Sequence, residues 1–202
     1  MRSRCSAGCA WCASIAGPGH IRHVGAKPTI RFGELDDSRS ARVQRVLDAF
    51  AQARGVVATT PENMWAALWT KFMLITAFSG IGAVTRVPIG EFRREGGSRR
   101  LLERVMTEIV ALATARGVTM PADLVATQMR HFDTVAPEST ASMQRDMMAG
   151  RPSELEDQTG AVVRIGRRLG VETPVNQFIY DCLLPQERLA RERAGGGRAA
   201  SG

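Results

Sequence analysis

Lysine is almost missing from this chain, with two residues against 25 arginines. Such a bias reflects a GC-rich coding sequence more than a phosphate-binding surface, so nucleic acid is not the expected partner. Aromatic residues make up only 5% of the chain, and histidine occurs three times, which leaves little for a stacking platform or a histidine-based metal site. Cysteine is scarce and lopsided: Cys5, Cys9 and Cys12 crowd the start and Cys182 stands alone. That usage excludes a disulfide framework and makes the reducing cytoplasm the expected compartment. Glycine and proline are too few for a collagen or a low-complexity tail. Neither G-x-G-x-x-G nor a Walker-type phosphate loop occurs, and there is no internal repeat.

What remains is a chain of 202 residues and 21.9 kDa, enough for one domain or one domain plus a fragment of another. It is 44% hydrophobic and 23% charged, so it can bury a core. Plentiful Ala, Leu, Val and Met with few aromatics favour helix. The net charge of +7 belongs to the two ends. Residues 1–31 hold five basic side chains and no acid, residues 186–202 hold four against two acids, and the body between them is neutral. The start, with Arg2 and Arg4 before small residues, only imitates a secretory signal, because Gly, Ser and Cys interrupt its apolar region.

Between Glu62 and Arg86 the only charge is Lys71. The central lysine, the hydroxyl residues Thr70, Thr76, Ser79 and Thr85, and the Gly80–Gly82 break speak for a buried central helix and against a membrane span. Upstream, residues 13–35 read as two short strands, turning at Pro18-Gly19 and again at Lys27-Pro28. Ser38 is placed to cap a helix ending at Gly55, and Thr60-Pro61 to open the central helix. Further helices are predicted from Ser98, from Pro121, from Ser142 and from the capping-box pattern Ser153-Glu154-Leu155-Glu156 to Gly170. The last runs from Thr173-Pro174 to about Leu184, and the Gly-, Ala- and Arg-rich remainder reads as a disordered tail.

Three constellations could carry chemistry. Cys5-x3-Cys9-x2-Cys12 has a spacing that can hold a four-iron cluster, but the chain turns helical too soon for the barrel such a loop serves, and an unstructured start is preferred. His20 and His23 lie three apart on a strand, hence on opposite faces, and do not converge on a metal. Cys182, within an apolar pattern, reads as a small core residue. Lys71 stands out among Trp65, Leu68, Trp69, Phe72 and Met73. Either it snorkels its ammonium to the surface, or it is a partly buried acid that needs a carboxylate partner, with Glu154, Glu156 and Asp157 as candidates.

Four motifs in order then carry a resemblance: Trp65-x3-Trp69-x-Lys71; Thr85-Arg86-x-Pro88-x-Gly90; Ser142-Met143-x2-Asp146-x3-Gly150-Arg151-Pro152-x-Glu154; and Gly170-x2-Thr173-Pro174-x-Asn176. Together they resemble the C-terminal half of ketopantoate reductases, the 2-dehydropantoate 2-reductases of pantothenate synthesis. The stretch from Pro18-Gly19 to Phe32-Gly33-Glu34-Leu35 is similar to the end of that family's N-terminal domain. The resemblance implies a Rossmann domain that holds NADPH and a helical domain that closes on it. Hydride then reaches the ketone carbon of a 2-oxo acid while a lysine protonates its oxygen. By motif, Lys71 takes the place of that acid, Ser142 of a serine that hydrogen-bonds substrate, and Glu154 of a glutamate at the cofactor and lysine end. Ser79 stands, with Ile75 and Ile89, where the familiar enzymes carry asparagines; it is the one of the three that retains a hydrogen-bonding group for substrate. Losing those amides puts ketopantoate itself in question while leaving a 2-oxo acid as the expected substrate class.

The expected fold is therefore mainly α: a helical domain of the 6-phosphogluconate dehydrogenase C-terminal type preceded by a short β remnant of a Rossmann domain. Residues 1–12 are unassigned, 13–58 form the remnant with a linking helix, 59–186 the helical domain and 187–202 the tail. The expected function is the substrate-binding and proton-donating half of such a reductase, truncated and inactive alone. The expected partners are a small 2-oxo acid and either a second copy or a missing Rossmann-domain chain, with no nucleic acid, membrane or metal. The other reading is a non-catalytic helical module for dimerisation or interaction.

Overall fold

The computed structural model describes residues 5–199, apart from the side chains of 9–15, 24–26 and 196–199. The chain divides into two compact units, residues 1–71 and 72–202.

The first unit is built on an antiparallel pair, β1 (Cys5–Gly17) and β2 (His20–Glu34), with Gly19 at φ +73° in the Pro18-Gly19 turn. A short β3 (Val57–Thr59) adds parallel to β2, giving the order β1-β2-β3. Lys27-Pro28 does not turn the chain as expected. Ala10 pairs with Thr29 but Cys12 with Val24, so the strand is irregular where proline offers no N–H to the ladder, and it then continues. Residues 5–12, unassigned from sequence, belong to β1.

Helix α1 (Ala41–Ala51) joins β2 to β3. Its N-cap is Ser40 rather than Ser38, because Ser40 Oγ accepts from Val43 N while Ser38 bonds Asp36. The buried Glu34 carboxylate ties the strand end to this helix, accepting from Ser40 Oγ at 2.5 Å and from Arg42 Nε at 2.7 Å. Helix α2 (Met64–Thr85) starts later than Thr60-Pro61 predicts. Its first N–H groups are taken by Asn63 Oδ1, which accepts from Ala66 N, and by Asp37 Oδ1, which accepts from Met64 N. Asn is the better cap, and Thr60 Oγ1 is left buried without a partner among the described residues. At 22 residues α2 is long and apolar enough to cross a membrane, with half of its apolar window buried inside the fold.

The second unit is helical. After α2 come the short α3 (Ile89–Phe92), then α4 (Gly96–Ala115), α5 (Leu124–Thr134), α6 (Ser142–Met148), α7 (Thr159–Leu169) and α8 (Pro174–Ala199). The core is aliphatic and methionine-rich: Met73, Ile81, Leu102, Met106, Ile109, Leu112, Met143, Leu155 and Leu183 are fully buried or nearly so. Phe78 stacks obliquely on both Phe92 and Phe132, with centroids about 6 Å apart. Arg93 caps the end of α5 by donating to the carbonyls of Phe132 and Val135. Gly170, at φ +65°, closes α7, where the left-handed turn suits glycine. Glu108 of α4 caps α8, its carboxylate accepting from Val175 N, Asn176 N and Asn176 Nδ2.

Two further expectations are corrected. Helix α8 does not stop near Leu184: it continues to Ala199 through Pro185, because Glu187 and Ala190 bury themselves against the domain. The segment expected as a tail is thus helix as far as it is described. Cys182, expected in the core, is exposed: Ile179 and Leu183 take the buried positions on α8 and leave position 182 on the outer face.

Candidate active site

Lys71 lies in α2, within the first unit, and is half-buried. Its aliphatic stem is covered by β1. A Cβ built on Gly8 would stand 3.6 Å from Lys71 Cδ and 3.9 Å from Leu68 Cδ2. The ammonium has no hydrogen bond or ion pair among the described residues, so the carboxylate partner expected for it is not supplied there. Packing the methylenes while leaving the head unpaired keeps the cation available to a ligand. Gly8 had no signal in the sequence, since residues 1–12 fitted no element.

The second unit carries the remaining three. Ser142 opens α6 and is exposed. Its mount is rigid: Gln144, wholly buried, donates Nε2 to Val87 O at 2.9 Å and accepts from Ala141 N through Oε1. That amide lies flat on α2, where a Cβ at Gly82 would overlap it. The loop before Ser142 is strapped to α3, with Ile89 N donating to Ser139 O and Gly90 N to Pro137 O. Ser79, on α2, is 1% exposed and so sits inside the packing, whereas Ser142 is open to solvent. Ile89, at one of the positions where the familiar enzymes carry asparagine, is fully buried.

Glu154 was expected in the first turn of α7. It instead belongs to a separate turn, since α7 begins at Thr159 after a break at Gln158 (φ −100°, ψ −94°). Its carboxylate is exposed and accepts from Gln158 Nε2 at 2.9 Å. The backbone beneath it is clamped from α8. Glu187, 1% exposed, accepts from Ser153 N at 3.1 Å and Ser153 Oγ at 2.6 Å, while Arg191 bonds both Glu187 and Ser153 O. Glu156, another candidate partner for a lysine, is committed elsewhere, to Arg164 and to the Tyr180 hydroxyl. Burial, reinforced by that carboxylate, raises the Tyr180 pKa above its ordinary value. Glu187 and Gln158 were missed from sequence, the first because it lies in a run without periodicity, the second because a lone amide carries no motif.

His20, His23 and His131 are exposed, and no group of three or more His, Cys, Asp or Glu able to hold a metal forms among the described residues. Cys5 is exposed and free, and the side chains of Cys9 and Cys12 lie outside the described residues. An open depression of about 480 Å³ at the α7–α8 corner is lined by Arg167, Glu172 and Gln177 and contains none of the motif residues.

What these elements define is a mainly α domain preceded by a small three-stranded sheet. Residues 63–187 match the family described as ketopantoate reductase PanE/ApbA C terminal, and the chain belongs to that family. A 2-dehydropantoate 2-reductase of Mesorhizobium japonicum is 30% identical over 179 residues, 89% of this chain and 53% of that protein. One of Halobacterium salinarum is 29% identical over 171 residues, 85% of this chain and 55% of its own length. Among solved structures, a PanE/ApbA family ketopantoate reductase from Ralstonia eutropha JMP134 superposes with a TM-score of 0.78 at 30% identity, covering 93% of this chain and 60% of that one. The chain thus spans about half the length of the curated relatives it matches.

Proposed function

We propose that the chain is the substrate-binding and proton-donating half of a 2-dehydropantoate 2-reductase-like enzyme, acting on a 2-oxo acid in the cytoplasm as a step of pantothenate synthesis. The observation that carries this reading is Lys71, whose stem is packed under Gly8 while its ammonium is left without a partner among the described residues. The acceptors held around Glu154 suit the hydroxyl or amide donors at the reacting end of a nicotinamide cofactor. NADPH, when bound, supplies hydride to the ketone carbon. Lys71 hydrogen-bonds the ketone oxygen and passes its proton to it as the alcohol forms. The exposed Ser142 hydroxyl hydrogen-bonds the substrate, and Ser79 is the second hydroxyl assigned to substrate. Glu154 orients the cofactor end through its carboxylate, and Lys71 regains its proton from solvent.

The test is a titration of the 202-residue chain with 2-oxopantoate and with smaller 2-oxo acids, followed by NMR. Binding weakened about tenfold or more by Lys71→Ala and by Ser142→Ala supports the reading; binding indifferent to Lys71→Ala overturns the role of that residue. NADPH oxidation with 2-oxopantoate is expected to be absent from the chain alone and to require a nucleotide-binding half, whether in a longer chain or a second one. Robust turnover by the 202 residues would sink that part. A second reading, a helical module for self-association, is favoured by one observation: Phe178, Cys182, Pro185 and Leu189 share an exposed face of α8, with Phe178 59% exposed.

A further inference from the structure

The turn that carries Glu154 ends on a residue that no motif singles out. Gln158 is 6% exposed, and its Nε2 donates to Glu154 Oε2 at 2.9 Å. A carboxylate takes only donors, so this bond fixes the amide: nitrogen towards Glu154, carbonyl oxygen away from it. That carbonyl oxygen is buried and accepts no hydrogen bond among the described residues. A side chain needed only to fill the space would be apolar, because burying an unpaired carbonyl is unfavourable. The orphan oxygen is a group waiting for a donor.

We propose that Gln158 is the positioning residue for Glu154, and that its buried carbonyl is a second acceptor of the same site, taking an O–H or N–H of the bound ligand. The inference rests on the reading of Glu154 given above. By occupying Oε2, Gln158 selects one orientation of the carboxylate and leaves Oε1, which has no donor among the described residues, as the working oxygen. The pair then offers two acceptors, Glu154 Oε1 and the Gln158 carbonyl oxygen. It suits the hydroxyl or amide end of a ligand and disfavours a phosphate or a second carboxylate. The main chain below is already fixed by Ser153, Glu187 and Arg191, so Gln158 supplies the remaining restraint, on the side chain itself.

The experiment uses the 202-residue chain with 15N-labelled glutamine side chains, the variants Gln158→Met and Glu154→Ala, and the double variant. One Gln158 amide proton is expected to exchange at least about tenfold more slowly than an exposed glutamine amide, and to lose that protection in Glu154→Ala. An amide that exchanges freely and ignores the Glu154 substitution overturns the proposal. NADPH and 2-oxopantoate are then titrated separately. Gln158→Met is expected to weaken, by about tenfold, the same probe that Glu154→Ala weakens, with the double variant no worse than the worse single one. Additive losses, or losses on different probes, overturn the shared site even if the amide is protected. If the unaltered chain binds neither probe, the reading of Glu154 as a ligand residue fails, and amide exchange alone decides whether Gln158 holds it. Gln158→Met keeps the volume and removes only the polar head, so a melting temperature within a few degrees of the parent separates lost positioning from lost folding.

Discussion

Lys71 and Tyr180 show how differently two lone polar groups are treated by the same fold. The lysine keeps its head unpaired over a packed stem, while the tyrosine, the single one in the chain, is turned onto Glu156 and partly buried. Because the folded state raises the Tyr180 pKa, it binds that proton more tightly than the unfolded chain does. The resulting stability is complete below about pH 10 and is lost as pH rises through the folded value. Urea melts from pH 8 upward should show this decline, Tyr180→Phe should flatten it, and tyrosinate absorbance reads the one group directly. Gly90 makes a second residue-scale prediction. A Cβ there would come within 2.8 Å of Pro137 O, which the Gly90 N–H already bonds. Gly90→Ala should therefore cost about 1–3 kcal/mol by chemical denaturation and loosen the loop that leads into Ser142. Lys71, Ser142 and Glu154 could be singled out in the sequence because each is set in a motif or isolated in an apolar run, and the roles given to them are those proposed above. Gly8 and Glu187 could not be, because nothing local marks a residue that acts on a partner dozens of positions away; Gln158, four residues after Glu154, was missed because a lone amide belongs to no motif.

At the scale of elements, the helices were found and their ends were misplaced, for identifiable reasons. Propensity places α2 at Thr60-Pro61, but Asn63 and Asp37 compete for its first N–H groups and win. Glu154 was assigned to α7 because its pattern fits a capping box, yet the Ser153 hydroxyl is held by Glu187 and the segment closes as its own turn. β1 was overlooked before residue 13, since Ala, Gly, Ser and Cys have little strand preference and only pairing with β2 makes the strand. The extension of α8 yields a direct test. Ending the chain after Leu184 removes Glu187, Ala190 and Arg191, and leaves the Ser153 N–H without its acceptor and the hydroxyl with only Met147 Sδ. Loss of about 2–4 kcal/mol of stability is expected by denaturant titration, with faster amide exchange at residues 153–158. A true tail would show neither.

For the whole molecule, the mainly helical fold followed from composition and periodicity, and family membership from four modest motifs kept in order, which the match over residues 63–187 establishes. What the sequence could not display is surface: which apolar residues remain outside is decided by packing, and the α8 face with Phe178 and Leu189 emerges only there. If that face joins two copies, sedimentation should show a concentration-dependent dimer that Phe178→Glu converts to monomer; a monomer at all concentrations removes the module reading. The bond from Glu108 to the first turn of α8 bears on the same question from the opposite end. Helix starts attract anions because their N–H groups point outward unsatisfied. Here that attraction is already answered from within, by a carboxylate lent by a neighbouring helix. The longest helix of the domain is thereby closed as an anion receptor.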